Sequence, residues 1–120
     1  MNKKRFDDAP TFLQFLDSAK EHRDMWRAVY ERARLPVEVV EEAMRTSGVW
    51  NLLALSEDWC GDAVNTLPVI ARLAERVGWD LRVLGRDDNP DLMDTHLSDG
   101  RSRSIPIVIF YDEHFKEVGW

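Results

Sequence analysis

The sequence predicts an α/β fold of three layers, with a mixed central sheet, helices on both faces and extra helices ahead of it. Three observations carry that expectation. Short apolar runs alternate with helical-period stripes after residue 48, which is the pattern of helices packed on a largely parallel sheet. Residues 49–55 are almost continuously apolar, as in a strand covered on both sides. Two β-rich runs, 105–111 and 115–120, close the chain at hairpin distance around Asp112 and Glu113.

The 120 residues fit a single domain, with a helical part over 1–48 and a sheet-bearing core over 49–120. Pro10 is suited to open a helix, since its missing N–H would be unpaired there, and Phe12, Leu16 and Ala19 follow at helical spacing. The stripe resumes at Trp26, Val29, Tyr30 and Ala33, and polar residues 20–24 between the two stretches mark a bend or a break. Pro36 opens another helix, with Val37, Val40 and Met44 on one face and Gly48 as its left-handed stop. After the first strand, a turn at Ser56-Glu57-Asp58 leads into a helix over about 60–77, with Leu67, Ile70, Leu73, Ala74 and Val77 facing the core and Gly78 ending it. A second strand is expected at 81–84. Asn89-Pro90 then supplies a cap and first-turn proline for a helix over 91–97, ended by Gly100. Three parallel strands, near 49–55, 81–84 and 105–111, and an antiparallel edge at 115–120 complete the expected sheet.

Composition narrows the function. A hydrophobic fraction of 44% is ordinary for a folded domain, and a net charge of −6 disfavours a nucleic-acid backbone or an anionic membrane as partner. The basic start Met1 to Arg5 runs into Phe6-Asp7-Asp8 rather than an apolar stretch, so no secretory leader is expected, and no segment has the ~18 apolar residues of a membrane span. One cysteine cannot form an internal disulfide. A cytoplasmic setting is the expectation.

That cysteine, Cys60, falls where a buried strand turns into a helix. Unpaired N–H groups and the helix dipole there favour a thiolate, the nucleophilic form, whereas Glu57, Asp58 and Asp62 oppose it. A buried structural thiol is the competing reading, and position alone does not separate the two. His22, His96 and His114 lack a paired ligand and are expected at the surface; no metal site is expected. Asp87, Asp88, Asp91 and Asp94 lack the spacing of a calcium loop and read as a solvated helix start. Trp50, Trp59, Trp79 and Trp120 read as core and rim packing.

Together, Trp59-Cys60-Gly61, Pro68 eight residues after the cysteine, and Ser104-Ile105-Pro106 resemble the thioredoxin superfamily. Within it the chain resembles bacterial thioredoxin-like proteins with a Glu-Asp-Trp-Cys-Gly-Asp stretch, and the likeness spans roughly 49–120. The resemblance implies a thioredoxin-like fold, a nucleophilic role for Cys60, and a cis bond before Pro106. It also implies a substrate groove at Ile105 and Pro106, with Trp59, Gly61, Asp62 and Ala63 as neighbours of the sulfur. Departures from the family are plain. Cys60-Gly61-Asp62-Ala63 lacks the second cysteine, Ala54 replaces the family's buried acid, and the final helix that covers one sheet face in thioredoxins is not evident before Trp120. The helices ahead of Gly48, further chain or a homodimer partner are the expected covers.

Two functions follow. One is a monothiol thiol-disulfide oxidoreductase without cofactor, whose Cys60 attacks a protein or low-molecular-weight disulfide and is released by an external thiol. The other is a redox-inactive binding or assembly module that keeps the groove beside Pro106. Monothiol glutaredoxins are a poor match, since their Cys-Gly-Phe-Ser stretch is absent.

Overall fold

The computed structural model describes residues 1–46 and 48–120 and contains six helices and four strands among them. In chain order these are α1 (Lys3–Asp8), α2 (Phe12–Ser18), α3 (Arg23–Arg32), α4 (Val37–Arg45), β1 (Asn51–Ser56), α5 (Gly61–Val77), β2 (Asp80–Gly85), α6 (Pro90–Asp94), β3 (Ile107–Tyr111) and β4 (Glu117–Gly119).

The strands form one mixed sheet in the order β2-β1-β3-β4. Strand β1 runs parallel to β2, with Leu52 opposite Leu81 and Ala54 opposite Val83. The expectation of three parallel strands fails at β3, which runs antiparallel to β1, pairing Leu53 with Ile109. The chain between α6 and β3 re-enters the sheet from the opposite end, and an apolar, β-branched run reads the same in either direction. Strand β4 pairs antiparallel with β3 through a bulge at Phe110 and Tyr111. In the turn between them, Asp112 Oδ1 accepts the backbone N–H groups of His114 and Lys116.

The continuous apolar character of β1 is explained by its position, since both of its faces are buried. Leu52 and Ala54 join Leu81 and Val83 under α2, α3 and α5, in a core that includes Phe12, Leu16, Trp26, Leu67 and Ala71. Leu53 and Leu55 point the other way, with Ile107, Ile109 and Tyr111, and are covered by Phe6 of α1, Met93 of α6 and Phe115. Helices therefore pack on both faces.

Helix α1 has no counterpart in the periodicity of the sequence. Only Phe6 of it is buried, and what docks it is polar: Arg82 of β2 donates from Nη1 to the carbonyls of Phe6, Asp7 and Ala9. Pro10 does not open α2. Thr11 caps that helix in a reciprocal box with Gln14, while the Pro10 carbonyl accepts the Val83 N–H at 2.9 Å. The polar stretch at 20–24 is a true break, with His22 in the left-handed region at φ 58°. Helix α4 forms over the expected residues but buries none of them.

Two further corrections concern polar residues. Asn89 and Pro90 hold the N-cap and first-turn positions of α6 as expected, but the Asn89 side chain makes no capping bond; its amide donates to the Gly85 carbonyl and its Oδ1 accepts from Arg5. His96 is buried rather than at the surface: Nδ1 lies 2.7 Å from the Leu92 carbonyl and Nε2 2.7 Å from Glu117 Oε1.

Candidate functional site

Strand β1 ends at Ser56, and the next four residues form the turn that delivers Cys60 to the start of α5. The Cys60 N–H closes that turn on the Glu57 carbonyl at 3.2 Å. Cys60 is itself the N-cap, with extended backbone at φ −79° and ψ 111°, and its carbonyl accepts the Val64 N–H. Its side chain makes no capping hydrogen bond. The first N–H groups of α5 have no acceptor within the helix, which makes this end a favourable place for negative charge.

The sulfur instead faces the chain before β3. The Ile105–Pro106 peptide bond is cis, and Cys60 Sγ lies 3.6 Å from the Ile105 carbonyl oxygen, to which the thiol donates. Cys60 is 8% exposed, so little of the residue is open to a substrate. Gly61, the next residue, is exposed, and a Cβ built there would meet nothing within 4 Å.

One turn into α5, at the position of the absent second thiol, Ala63 is fully buried among Cys60, Val64 and Leu67. Asp62 points to solvent. Trp59 is 46% exposed and carries the Arg86 guanidinium over its ring at 5.0 Å from the centroid. Ala54 lies fully buried in β1, so no carboxylate from that position reaches the sulfur. Pro68 sits inside α5 and removes the N–H that would have paired with the Val64 carbonyl.

Contacts invisible to sequence reading hold the turn on both flanks. Asp58, which the sequence places only as a carboxylate opposing a thiolate at Cys60, accepts the backbone N–H groups of Lys20 and Glu21 on one oxygen, at 2.8 and 3.2 Å. The Asp58 carbonyl accepts the indole N–H of fully buried Trp26 at 2.8 Å. On the other flank, Glu57 Oε1 accepts the Asp87 N–H and the Ser56 carbonyl accepts the Arg86 N–H. No spacing within the motif signals these partners, because they lie 30 to 38 residues away on separate segments.

A family model described as thioredoxin matches residues 9–120. The chain belongs to the thioredoxin family. The match reaches well ahead of residue 49, where the resemblance of the motifs begins, and takes α2, α3 and α4 into the family's span. Among solved structures, a protein of unknown function from Pseudomonas aeruginosa aligns at TM-score 0.76 and 21% identity, over 95% of this chain and 71% of that one. An HIV epitope-scaffold aligns at TM-score 0.76 and 20% identity, over 97% and 73% of the two chains. Both likenesses speak to the thioredoxin fold alone. No curated protein matches the chain at a significant level.

No helix among the described residues is long and apolar enough to cross a membrane. Among the same residues, no three His, Cys, Asp or Glu side chains converge as a metal site would require. Of the tryptophans, Trp50 and Trp79 pack edge-on against Phe110, while Trp120 lies exposed against His96.

Proposed function

We propose that this thioredoxin-family domain is a monothiol disulfide-exchange protein with Cys60 as its nucleophile. The observation that carries the reading is the placement of the Cys60 sulfur at the open N-cap of α5, beside the carbonyl that precedes cis Pro106. A thiolate there draws on the helix N–H groups, and an extended disulfide substrate has the edge at Ile105 and Pro106 to lie along.

The chemistry is a two-step exchange. The Cys60 thiolate attacks one sulfur of a disulfide R–S–S–R′, forming Cys60–S–S–R and expelling R′S⁻. A second thiolate, from a small external thiol, then attacks the R sulfur, forming a new disulfide and restoring the Cys60 thiolate. No net electrons reach the protein across the cycle. Ala63 cannot perform the second attack, so release is intermolecular.

One observation favours a second reading as a binding module without turnover: Cys60 is mostly buried and its neighbour at Ala63 carries no thiol. A trapping experiment separates the two. Mixed with a small aromatic disulfide, the protein is expected to gain one reagent thiol, seen as a stable mass increase absent in Cys60→Ser. The adduct should be released only on adding thiol, at a rate proportional to thiol concentration. A well-folded protein that forms no adduct, with Cys60 alkylated no faster than free cysteine at neutral pH, overturns the exchange reading.

A further inference from the structure

We infer that Asp58 is a positioning residue for Cys60, holding the cysteine turn through hydrogen bonds to the α2–α3 connection and to Trp26 rather than through its charge. The inference rests on the reading of Cys60 as an exchanging thiol and assigns a task to the break in the N-terminal helices.

The turn from Ser56 to Cys60 has little packing of its own, since Glu57 and Asp58 are only partly buried and Trp59 is exposed. Its course is set by polar ties. One Asp58 carboxylate oxygen takes two consecutive N–H groups, those of Lys20 and Glu21, where α2 has ended and α3 has not begun. Those amides are available because the chain breaks there: Ala19 closes α2, and His22 is left-handed ahead of Arg23. The Asp58 carbonyl is fixed independently by the Trp26 indole, whose ring packs edge-on against Phe15 at 5.0 Å and is completely buried. Asp58 is therefore gripped at its backbone and its side chain by two different parts of the N-terminal segment, two residues before the sulfur.

A carboxylate with two N–H donors is an acceptor in use, and an asparagine Oδ1 can take the same two bonds without the charge. Misplacement of a reacting group by about 1 Å is enough to cost on the order of 100-fold in rate. Cys60 is aimed at the Ile105 edge through a turn that the Asp58 carboxylate and the Trp26 indole tie down on this flank, so loosening either should show directly in the exchange step.

The test compares Asp58→Ala, Asp58→Asn, Trp26→Phe and, as a destabilised control far from the sulfur, Arg82→Ala. Two readouts are taken: the rate of adduct formation with the small aromatic disulfide, and hydrogen exchange at the Cys60 amide. Asp58→Ala and Trp26→Phe are expected to slow adduct formation about tenfold and to speed exchange at Cys60, while Asp58→Asn stays near wild type and Arg82→Ala changes neither. The inference is overturned if Asp58→Ala and Trp26→Phe match wild type in both readouts. It is equally overturned if Asp58→Asn is as slow as Asp58→Ala, which would make charge the agent, or if Arg82→Ala slows the thiol as much, which would make the effect general destabilisation. Should wild type form no adduct, the exchange reading falls, and hydrogen exchange at Cys60 alone decides whether Asp58 holds the turn.

Discussion

Cys60 and Ala63 lie one helical turn apart at the start of α5, and whether the second position carries a sulfur sets the order of the release step. Ala63→Cys should let the adduct resolve internally, so that its decay no longer depends on added thiol; loss of the adduct followed by mass spectrometry checks this. Ala63 is completely buried, so the new sulfur must fit against Val64 and Leu67, and the comparison is made only after the variant's fold is confirmed by circular dichroism. A second residue-scale effect belongs to Asp91. The Arg5 guanidinium bonded to it, at 2.6 Å, holds its carboxyl down at about 2, against 3.8 for the ordinary group. A depressed carboxyl pKa means that the pair's contribution is fully present above pH 4 and is lost as pH falls through 2. Because Asp91 is largely exposed, the contribution is below about 1 kcal/mol. Arg5→Gln should lower stability by that amount at neutral pH and flatten the pH dependence between 4 and 2, measured by urea unfolding.

At the scale of elements, α1 and α5 are held in opposite ways. Helix α1 is six residues long and contributes one buried side chain, so it depends on Arg82, whose Nη1 gathers three carbonyls at its C-terminal end while Nε and Nη2 pair with Asp80. Arg82→Ala should cost about 2 kcal/mol, the range for charge-assisted hydrogen bonds of this kind, and should release α1 first, seen as hydrogen exchange rising at Phe6 before the sheet. Helix α5 stops at Gly78, left-handed at φ 82°, with the Trp79 N–H reaching back to the Ala74 carbonyl. A Cβ at Gly78 would meet nothing within 4 Å. Gly78→Ala should therefore cost only the backbone term, about 1 kcal/mol, with no change in the reactivity of Cys60; thermal unfolding together with alkylation rates would check both halves.

Over the whole molecule, two cores share β1 between them and α4 belongs to neither. Val37 and Met44, the residues of its expected buried face, are 65% and 68% exposed, and Val40 is only partly covered. Local opening free energy follows buried contact, so amides of residues 40–45 should exchange orders of magnitude faster than those of β1. The α/β class, the succession of strands and helices along the chain and the helix after Cys60 are legible in the sequence, because buried strands and amphipathic helices write their burial as period and run length. The break at 20–24 was legible as polarity, and Trp59-Cys60-Gly61 with Ile105-Pro106 marked the two chain segments that meet. Hydrophobic periodicity carries no sign for direction, so it does not distinguish the antiparallel β3 from a parallel strand, and no signal for a helix docked by polar bonds, such as α1. The missing ligand partner that suggests a surface place for His96 does not show its burial, where its two ring nitrogens find a carbonyl and a carboxylate on separate elements. Which residues would be close to Cys60 in sequence was determined by the chain alone; that Asp58 spends its carboxylate on Lys20 and Glu21, and that the sulfur faces the Ile105 carbonyl, only the tertiary structure decided, because hydrogen bonds between distant segments depend on where packing brings them and leave no period in the sequence.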